Sequence, residues 1–219
     1  MCRSRRIVLI AVTLALSAVP VAAADSTQRD GRAVVVPGSG ELFSQWFTTF
    51  FEMPAAESPF YDNGDPCVRF ARNDKVLSAF AGEDGTVTCT AERGTVLFTG
   101  WEHFCGTFDQ PPFYAVGRAE QRVCALAASQ SVTTLTLTVD GTVIDILKPR
   151  FAVFSPQTTV NLPVDNVVGI DPGRHTLTSY GWGAVVRNLR VGRHVITLDV
   201  VDGDFSGSFE HIINIVPRA

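Results

Sequence analysis

The spacing of apolar residues is helical near the amino terminus and strand-like over most of the remaining chain. Between Ser39 and Pro54, large aromatic residues recur three and four positions apart, which is the period of one helix face. Ser39 can cap such a helix, Glu41 lies in its first turn, and Pro54 ends it. The stripe itself consists of Phe43, Trp46, Phe47, Phe50 and Phe51. We therefore predict an amphipathic helix whose aromatic face packs on a β-body as part of the core.

The rest of the chain is dominated by short segments in which apolar and polar residues alternate, bounded by Gly, Pro, Asn or Asp. Strands are predicted at 33–36, 76–80, 86–90, 95–98, 132–139, 142–147, 151–154, 158–162, 175–180, 184–189, 194–201 and 209–216. An Asp140-Gly141 turn joins two of them as a hairpin. Residues 101–112 are predicted as a loop, and the Ala-rich stretch 115–129 as a second helix. This order favours a mainly β fold, an antiparallel sandwich of the jelly-roll or Ig-like kind, with a second helix in the cysteine-containing segment.

The first 24 residues have the three parts of a secretory signal peptide. A positive region with Arg3, Arg5 and Arg6 precedes an apolar run, and Ala22-Ala23-Ala24 supplies small residues for cleavage. We predict a signal peptide at 1–24, a flexible tail at 25–32, and a single β-sandwich domain at 33–219 with a helical insertion at about 101–130. No span is predicted in the mature chain, so the expected location is outside the cell, in the periplasm or at the cell envelope.

The charge of the chain argues against nucleic-acid partners. The net charge is −4, and it becomes −7 without the predicted leader, which carries three Arg and no acidic residue. Affinity for a phosphate backbone comes mainly from clustered Lys and Arg, and no such cluster remains. The expected partners are a carbohydrate or a cell-surface protein.

Four cysteines follow the predicted leader: Cys67, Cys89, Cys105 and Cys124. In an exported chain they are expected to form two disulfides, for which three pairings are possible. Pairing between sequence neighbours, Cys67 with Cys89 and Cys105 with Cys124, suits the layout best. Each bridge would close a loop of about twenty residues and contribute on the order of 3 kcal/mol in the chain-entropy model.

No catalytic motif occurs in the sequence. It lacks G-x-S-x-G, H-E-x-x-H and the Gly-rich phosphate loops. Weak catalytic candidates are Glu102, His103 and Asp109, which a hydrolase could use if the 101–112 loop brought them into one cleft. The strand histidines His175, His194 and His211 are interpreted as sheet residues with local hydrogen bonds, and Asp62 to Asp65 as a turn. We expect no metal and no cofactor.

Aromatic side chains offer a second kind of site, because their faces stack on sugar rings. The candidates for ligand binding are Trp101, Tyr114, Tyr180 and Trp182. The leading hypothesis is a non-catalytic extracellular or cell-envelope module that binds carbohydrate or another surface component. A secreted hydrolase and a structural protein–protein interaction domain are the alternatives; an exposed apolar patch over the first helix would favour the latter.

Several short motifs resemble those of an uncharacterised family of secreted bacterial β-rich proteins. They include Met53-Pro54-Ala55-Ala56 after the aromatic helix, Thr88-Cys89-Thr90, Val96-Leu97-Phe98, Thr138-Val139-Asp140-Gly141, Leu162-Pro163-Val164-Asp165-Asn166 and the run from Leu189 to His194. These motifs span most of residues 42–200. The resemblance implies export and a β-rich fold, and it adds no catalytic residue because the family has no assigned activity.

Overall fold

The computed structural model describes residues 33–59, 64–71, 74–80, 85–108 and 112–218. The predicted signal peptide and tail lie outside these residues. Within them the elements follow in the order β1 Val34–Pro37, α1 Gly40–Phe51, β2 Cys67–Phe70, β3 Val76–Ala79, β4 Thr86–Glu92, β5 Val96–Gly106, α2 Arg118–Ala128, β6 Val132–Val139, β7 Thr142–Asp145, β8 Ala152–Phe154, β9 Thr158–Leu162, β10 Gly173–Arg187, β11 Gly192–Asp202 and β12 Phe205–Val216. The prediction of a mainly β fold with two helices is confirmed.

The first sheet is built around the long strand β10. One edge of β10 pairs with β5 along ten positions, from Leu177 with Gly106 to Val186 with Leu97. Its other edge is covered in succession by β9, β8 and β1. Beyond β5 the order continues to β3 and β2, which makes a seven-stranded sheet.

The second sheet has five strands in the order β4-β12-β11-β6-β7. Its two tight hairpins are set by turn residues with left-handed backbones. Asp140 and Gly141, with φ of 47° and 80°, join β6 to β7, and Gly203, with φ of 57°, lies in the turn between β11 and β12. Positive φ at both central positions matches the right-handed twist of the flanking strands, so the hairpin predicted from Asp140-Gly141 is confirmed.

Two of the strand pairs are parallel, so the prediction of a purely antiparallel arrangement is wrong. β3 runs parallel to β5, and β4 runs parallel to β12. The reason is that β4, which separates β3 from β5 in the chain, belongs to the other sheet. A parallel pair requires a crossover connection, and here a strand of the opposite sheet lies in that crossover.

One apolar core is shared by the two sheets. Leu97 of β5 and Val186 of β10 belong to the same buried cluster as Leu137, Leu198 and Ile213 from the second sheet. A separate cluster lies on the opposite face of the first sheet, where α1 covers it. The two central strands, β5 and β10, therefore bury side chains on both faces.

Helix α1 has the boundaries and the role predicted from its sequence. Ser39 caps it by accepting a hydrogen bond at Oγ from the Leu42 backbone N–H, at 3.2 Å. The aromatic stripe is covered by the sheet: Phe43, Phe47 and Phe50 are no more than 1% exposed. These buried side chains form no exposed apolar patch over the helix. The feature that would favour a protein–protein interaction domain is therefore not seen in them.

Helix α2 is attached to β10 by one buried amide. Gln121 is fully buried, and its Nε2 donates to the Thr176 carbonyl and to Thr176 Oγ1 at 3.2 and 3.1 Å. Its Oε1 accepts from Gln157 and from Thr178 Oγ1 at 3.0 and 3.2 Å. Both ends of the amide are thus satisfied, which a buried polar group requires.

Both predicted disulfides are present with the neighbour pairing. Cys67–Cys89 joins β2 of the first sheet to β4 of the second, with Cα atoms 5.6 Å apart. Cys105–Cys124 joins β5 to α2, with Cα atoms 6.0 Å apart. One bridge therefore links the two sheets, and the other holds the second helix against the first sheet.

Two boundary predictions are wrong for one physical reason. The 101–112 loop is strand β5 as far as Gly106, and the two predicted strands 175–180 and 184–189 are the single strand β10. Glycines beyond a run of strand residues indicate a break, and Gly100, Gly181 and Gly183 lie at such positions next to the predicted strands. In fact β5 and β10 approach so closely there that a Cβ on Gly181 would lie 2.5 Å from Glu102 Cβ, so glycine continues the pairing instead of ending it.

We predict that Gln121→Leu will lower the free energy of unfolding by about 2–4 kcal/mol, because it leaves several buried donors and acceptors without partners. Urea denaturation with the disulfides intact measures the change. Gln130→Leu is the matched control, because Gln130 is exposed, and it should change stability by less than about 0.5 kcal/mol. Equal effects of the two substitutions would contradict the role assigned to Gln121.

Candidate ligand-binding site

The candidate site lies where β3 stops pairing with β5 in the first sheet. β3 pairs with β5 at two positions, Val76 with Val96 and Leu77 with Leu97. β5 then continues to Gly106 with β10 on its other edge. In the described part of the chain, no strand pairs with the free edge of β5 from Phe98 to Phe104. The two strands diverge, and a cavity opens between them.

The cavity has a volume of about 630 Å³, which lies within the usual range for small-ligand sites. It reaches from α1 on one side of the first sheet to the second sheet on the other, through the gap between β3 and β5. Its described lining residues are mostly aromatic or apolar: Phe43, Trp46, Phe47, Phe51, Pro59, Ser78, Ala79, Phe80, Phe98, Thr99, Gly100, Trp101, Glu102, Phe104, Leu198, Phe209 and His211.

The α1 wall is a set of mutually packed rings. Phe47 meets Phe104 of β5 edge-to-face with ring centroids 5.3 Å apart. Trp46 stacks on Phe80 at 5.7 Å, and its Nε1 donates to Ser78 Oγ at 3.2 Å. These contacts fix the ring orientations, so the helix contributes a rigid aromatic surface.

The opposite wall centres on Trp101, which points toward the second sheet. Its ring stacks on Phe205 and Phe209, with centroids 5.4 and 6.1 Å apart. Its Nε1 donates to Asp202 Oδ2 at 2.8 Å. The carboxylate thus holds the indole from the side while the phenyl rings cover its face.

Asp202 also binds two other side chains. His103 Nε2 lies 2.8 Å from Oδ2, and Ser131 Oγ donates to Oδ1 at 2.5 Å. Burial alone would raise the pKa of Asp202, but hydrogen bonds from Ser131 and Trp101, and the charge and hydrogen bond of His103, hold it below its ordinary value. The serine contacts the aspartate and not the histidine, so the three groups do not have the order of a nucleophilic triad.

Glu102 brings a carboxyl group into this apolar cavity. Its neighbours in β5 that face the same side are Gly100, which has no side chain, and Phe104. Its side chain is half-buried, and among the described residues its carboxyl group forms no hydrogen bond or ion pair. Burial raises the pKa of Glu102 to about 7, because desolvation penalises the charged form. At neutral pH the cavity therefore contains a carboxyl group poised between its two protonation states.

His211, on β12, is the other titratable group among the described lining residues. It is 4% exposed, and its Nδ1 has no hydrogen-bond partner. Burial lowers the pKa of His211 to about 4, so the imidazole is neutral at physiological pH. An unpaired buried polar atom is costly, and Nδ1 is inaccessible even to water although the residue lines the cavity.

The catalytic candidates do not converge. Glu102 and His103 are adjacent in a strand, and successive strand residues point to opposite faces. Glu102 accordingly lines the cavity, whereas His103 binds Asp202. Asp109 lies outside the described residues. The cleft that a hydrolase would need is not formed by the first two residues.

The four aromatic candidates do not form one platform either. Trp101 lines the cavity, but Trp182 is only 8% exposed and belongs to the core between the sheets. Tyr180 packs against Phe154 at 4.5 Å, and Tyr114 is 50% exposed elsewhere. Trp182 therefore offers no exposed face for stacking, because its strand is covered by the second sheet.

Sequence reasoning missed two participants. The sequence Asp202-Gly203-Asp204 between two strands indicates only a turn, and His211 is predicted to be an ordinary sheet residue with local hydrogen bonds. The second interpretation holds for His194, whose Nδ1 and Nε2 lie 2.7 and 2.8 Å from Asp140 Oδ2 and the Arg190 carbonyl. It is wrong for Nδ1 of His211. The sequence signal that separates the two histidines is weak. His194 has an Asp in a turn that lies close to it in the fold, whereas His211 is followed by apolar strand residues.

The described residues contain neither a metal-binding cluster nor a membrane-spanning helix. Over the described ranges, no group of three or more His, Cys, Asp or Glu is placed to hold a metal ion. Asp65 acts as a turn residue, since its Oδ1 accepts from the Cys67 backbone N–H at 2.8 Å. No helix among the described residues is long and apolar enough to span a membrane.

Comparison with known proteins gives no family assignment. No protein-family model and no curated protein matches the chain. Among solved structures, PbICP-C, solved in complex with falcipain-2, is 12% identical, with a TM-score of 0.25, 65% of this chain covered and 98% of that chain. Amebosin is 12% identical, with a TM-score of 0.20 and coverage of 64% and 96%. A family 123 glycoside hydrolase from Clostridium perfringens is 13% identical, with a TM-score of 0.28 and coverage of 86% and 28%. Likenesses this low carry no functional argument.

We predict that the Glu102 carboxyl destabilises the fold as pH rises. The pKa of this residue is higher in the folded than in the unfolded chain, so the folded state binds the extra proton, and stability falls between about pH 4.5 and pH 7. His211 has the opposite sign, because its lowered pKa makes stability fall as the solution is acidified below about pH 6.5. The two effects partly cancel in the wild type.

Glu102→Gln isolates the first effect, because glutamine does not titrate. Relative to the wild type, the variant should gain about 2–3 kcal/mol of unfolding free energy between pH 4.5 and pH 8. Urea denaturation across this range measures the difference, with Glu92→Gln on the exposed end of β4 as the control. A difference that stays constant with pH would show that Glu102 titrates normally.

Proposed function

We propose that the protein is an exported, non-catalytic binding module that holds a small, largely apolar ligand in the cavity between α1, the edge of β5 and the second sheet. The observation that carries this proposal is an aromatic cavity of about 630 Å³ whose described lining contains one carboxyl group, Glu102, and one neutral imidazole, His211. Apolar lining with a few convergent polar groups is typical of small-molecule sites.

A non-catalytic role is favoured over hydrolysis by the carboxylate count. Glycoside hydrolysis uses two carboxyl groups on either side of the scissile bond, and Glu102 is the one acidic residue among the described residues that line the cavity. A sugar would also bring many hydroxyl groups to a lining with few polar partners. We therefore propose an apolar ligand in preference to the carbohydrate expected from the sequence.

The scaffold supports the same proposal. Two packed sheets that present a site at a strand edge suit a sandwich of the kind that extracellular modules use, and we propose that architecture here. The two disulfides fit an oxidising compartment, and with the leader-like first 24 residues they support export. The resemblance to secreted β-rich bacterial proteins points in the same direction.

Binding can be tested with N-phenyl-1-naphthylamine, an uncharged probe that fluoresces in apolar surroundings. The wild type should enhance its fluorescence saturably. Ala79→Phe should abolish the enhancement, because Ala79 lines the cavity and the added ring occupies it. Ala127→Phe on the exposed side of α2 is the matched control.

Overpacking can itself unfold a protein, so the milder Ala79→Leu is measured in parallel, with circular dichroism on every variant. A graded loss of binding in folded variants supports the cavity as the site. If the folded Ala79 variants bind the probe as the wild type does, the site lies elsewhere and the proposal fails.

Export has its own test. When the full chain is produced with its own first residues, the secreted or periplasmic protein should begin at Asp25, within a residue or two. Intact mass and amino-terminal sequencing measure this directly. Accumulation of the full-length chain in the cytoplasm, with the four cysteines reduced, would contradict the proposed location.

A further inference from the structure

We propose that the ligand is an organic cation, a protonated amine or quaternary ammonium on an apolar body, and that its charged nitrogen lies at Glu102 in the aromatic cavity. This inference rests on the proposed binding function and specifies the chemistry that the site selects.

The first step is the charge balance of the cavity. Its described lining contains one carboxyl group and no Lys or Arg. The Glu102 carboxyl also has no hydrogen-bond donor within the described part of the chain. Burying a carboxylate without a partner is unfavourable, and a cation brought by the ligand removes that cost. Once ionised, Glu102 is thus an unpaired negative charge that a cationic ligand would neutralise.

The second step is the nature of the surrounding surface. Trp46, Phe47 and Phe104 line the side toward α1, and Trp101 and Phe209 line the side toward the second sheet. The negative face of an aromatic ring attracts a cation, most strongly for tryptophan and when water is excluded. Rings from both sides of the sheet around one carboxyl group form a receptor for an ammonium group. The same rings accept the apolar part of the ligand.

The third step is His211, the other titratable residue of the described lining. Its imidazole is 4% exposed and uncharged above about pH 4, because burial lowers its pKa. It therefore brings no positive charge that would repel a cation or attract an anion. A ligand carboxylate would meet an uncharged side chain here and a like charge at Glu102, so the lining favours a cation over an anion.

The test compares three probes with one carbon skeleton: 4-phenylbutylamine, 4-phenylbutan-1-ol and 4-phenylbutyrate. Isothermal titration calorimetry at about pH 8 on the disulfide-bonded protein gives their affinities. The amine should bind at least about tenfold more tightly than the alcohol, because a hydrogen bond to a charged group is stronger than a neutral one. The carboxylate should bind more weakly than either.

Two further measurements separate a cation site from a merely apolar one. Glu102→Gln should weaken amine binding by about tenfold or more and leave the alcohol unchanged, whereas Glu92→Gln should alter neither. The affinity of the wild type for the amine should fall by about tenfold per pH unit below pH 7, as Glu102 becomes protonated.

The pH profile has a simple interpretation because the other described lining residues are uncharged in this range. α1 and β3 contribute aromatic residues, Ser78 and Ala79; β11 contributes Leu198; and β12 contributes Phe209 and His211, the last neutral above about pH 4. The amine itself stays protonated across this range, because alkylamines titrate near pH 10.

Each outcome decides between the two proposals. If the alcohol binds as tightly as the amine, or if Glu102→Gln leaves amine binding intact, the cation inference is overturned and Glu102 serves a neutral ligand, while the binding function stands. If none of the three probes binds and the fluorescent probe also fails, both proposals fall.

Discussion

The pairing of β5 with β10 is the constraint on which the rest of the structure depends. It runs over ten positions and remains continuous through glycines that let the two backbones approach closely. Because β10 supports β5 along its whole length, β5 can continue after β3 has diverged from it. The free edge of a strand tends to pair with another segment. Here β10 holds the opposite edge of β5 in place, so the free edge can border a cavity.

The same pairing explains why one cavity receives side chains from both faces of a sheet. Residues of β5 alternate between the core shared by the two sheets and the aromatic cluster under α1. At the free edge these two environments meet, so Trp101 and Glu102, adjacent in sequence and opposite in direction, line one space. The Glu102 carboxyl faces this space without a hydrogen-bond partner among the described residues, and this distinguishes it from the satisfied Gln121 and His194.

Local signals made much of the fold predictable. The cap at Ser39 and the aromatic period predicted α1, alternation predicted β6 and β9, and Asp140-Gly141 predicted a hairpin. The failures came where the decisive contact is distant in sequence. Gly181 and Gly183 continue a strand because of what lies beside them, and Trp182 is buried by a sheet whose position no local pattern reveals. The site itself depends on where β3 leaves β5 and on which of four histidines lacks a partner, and both are tertiary facts. The sequence singled out Glu102, but it grouped this residue with His103 and Asp109 and not with the aromatic residues of the cavity.

The bridge between Cys67 and Cys89 restrains one wall of the cavity. β3, which forms that wall, lies between these cysteines in the chain, and its strand partner β2 is covalently tied to β4 in the other sheet. The closed loop therefore contains β3 and is bonded to both layers of the fold. Reduction of the bridge would remove this covalent tie, so the oxidised state of the protein limits how far the walls of the cavity can separate.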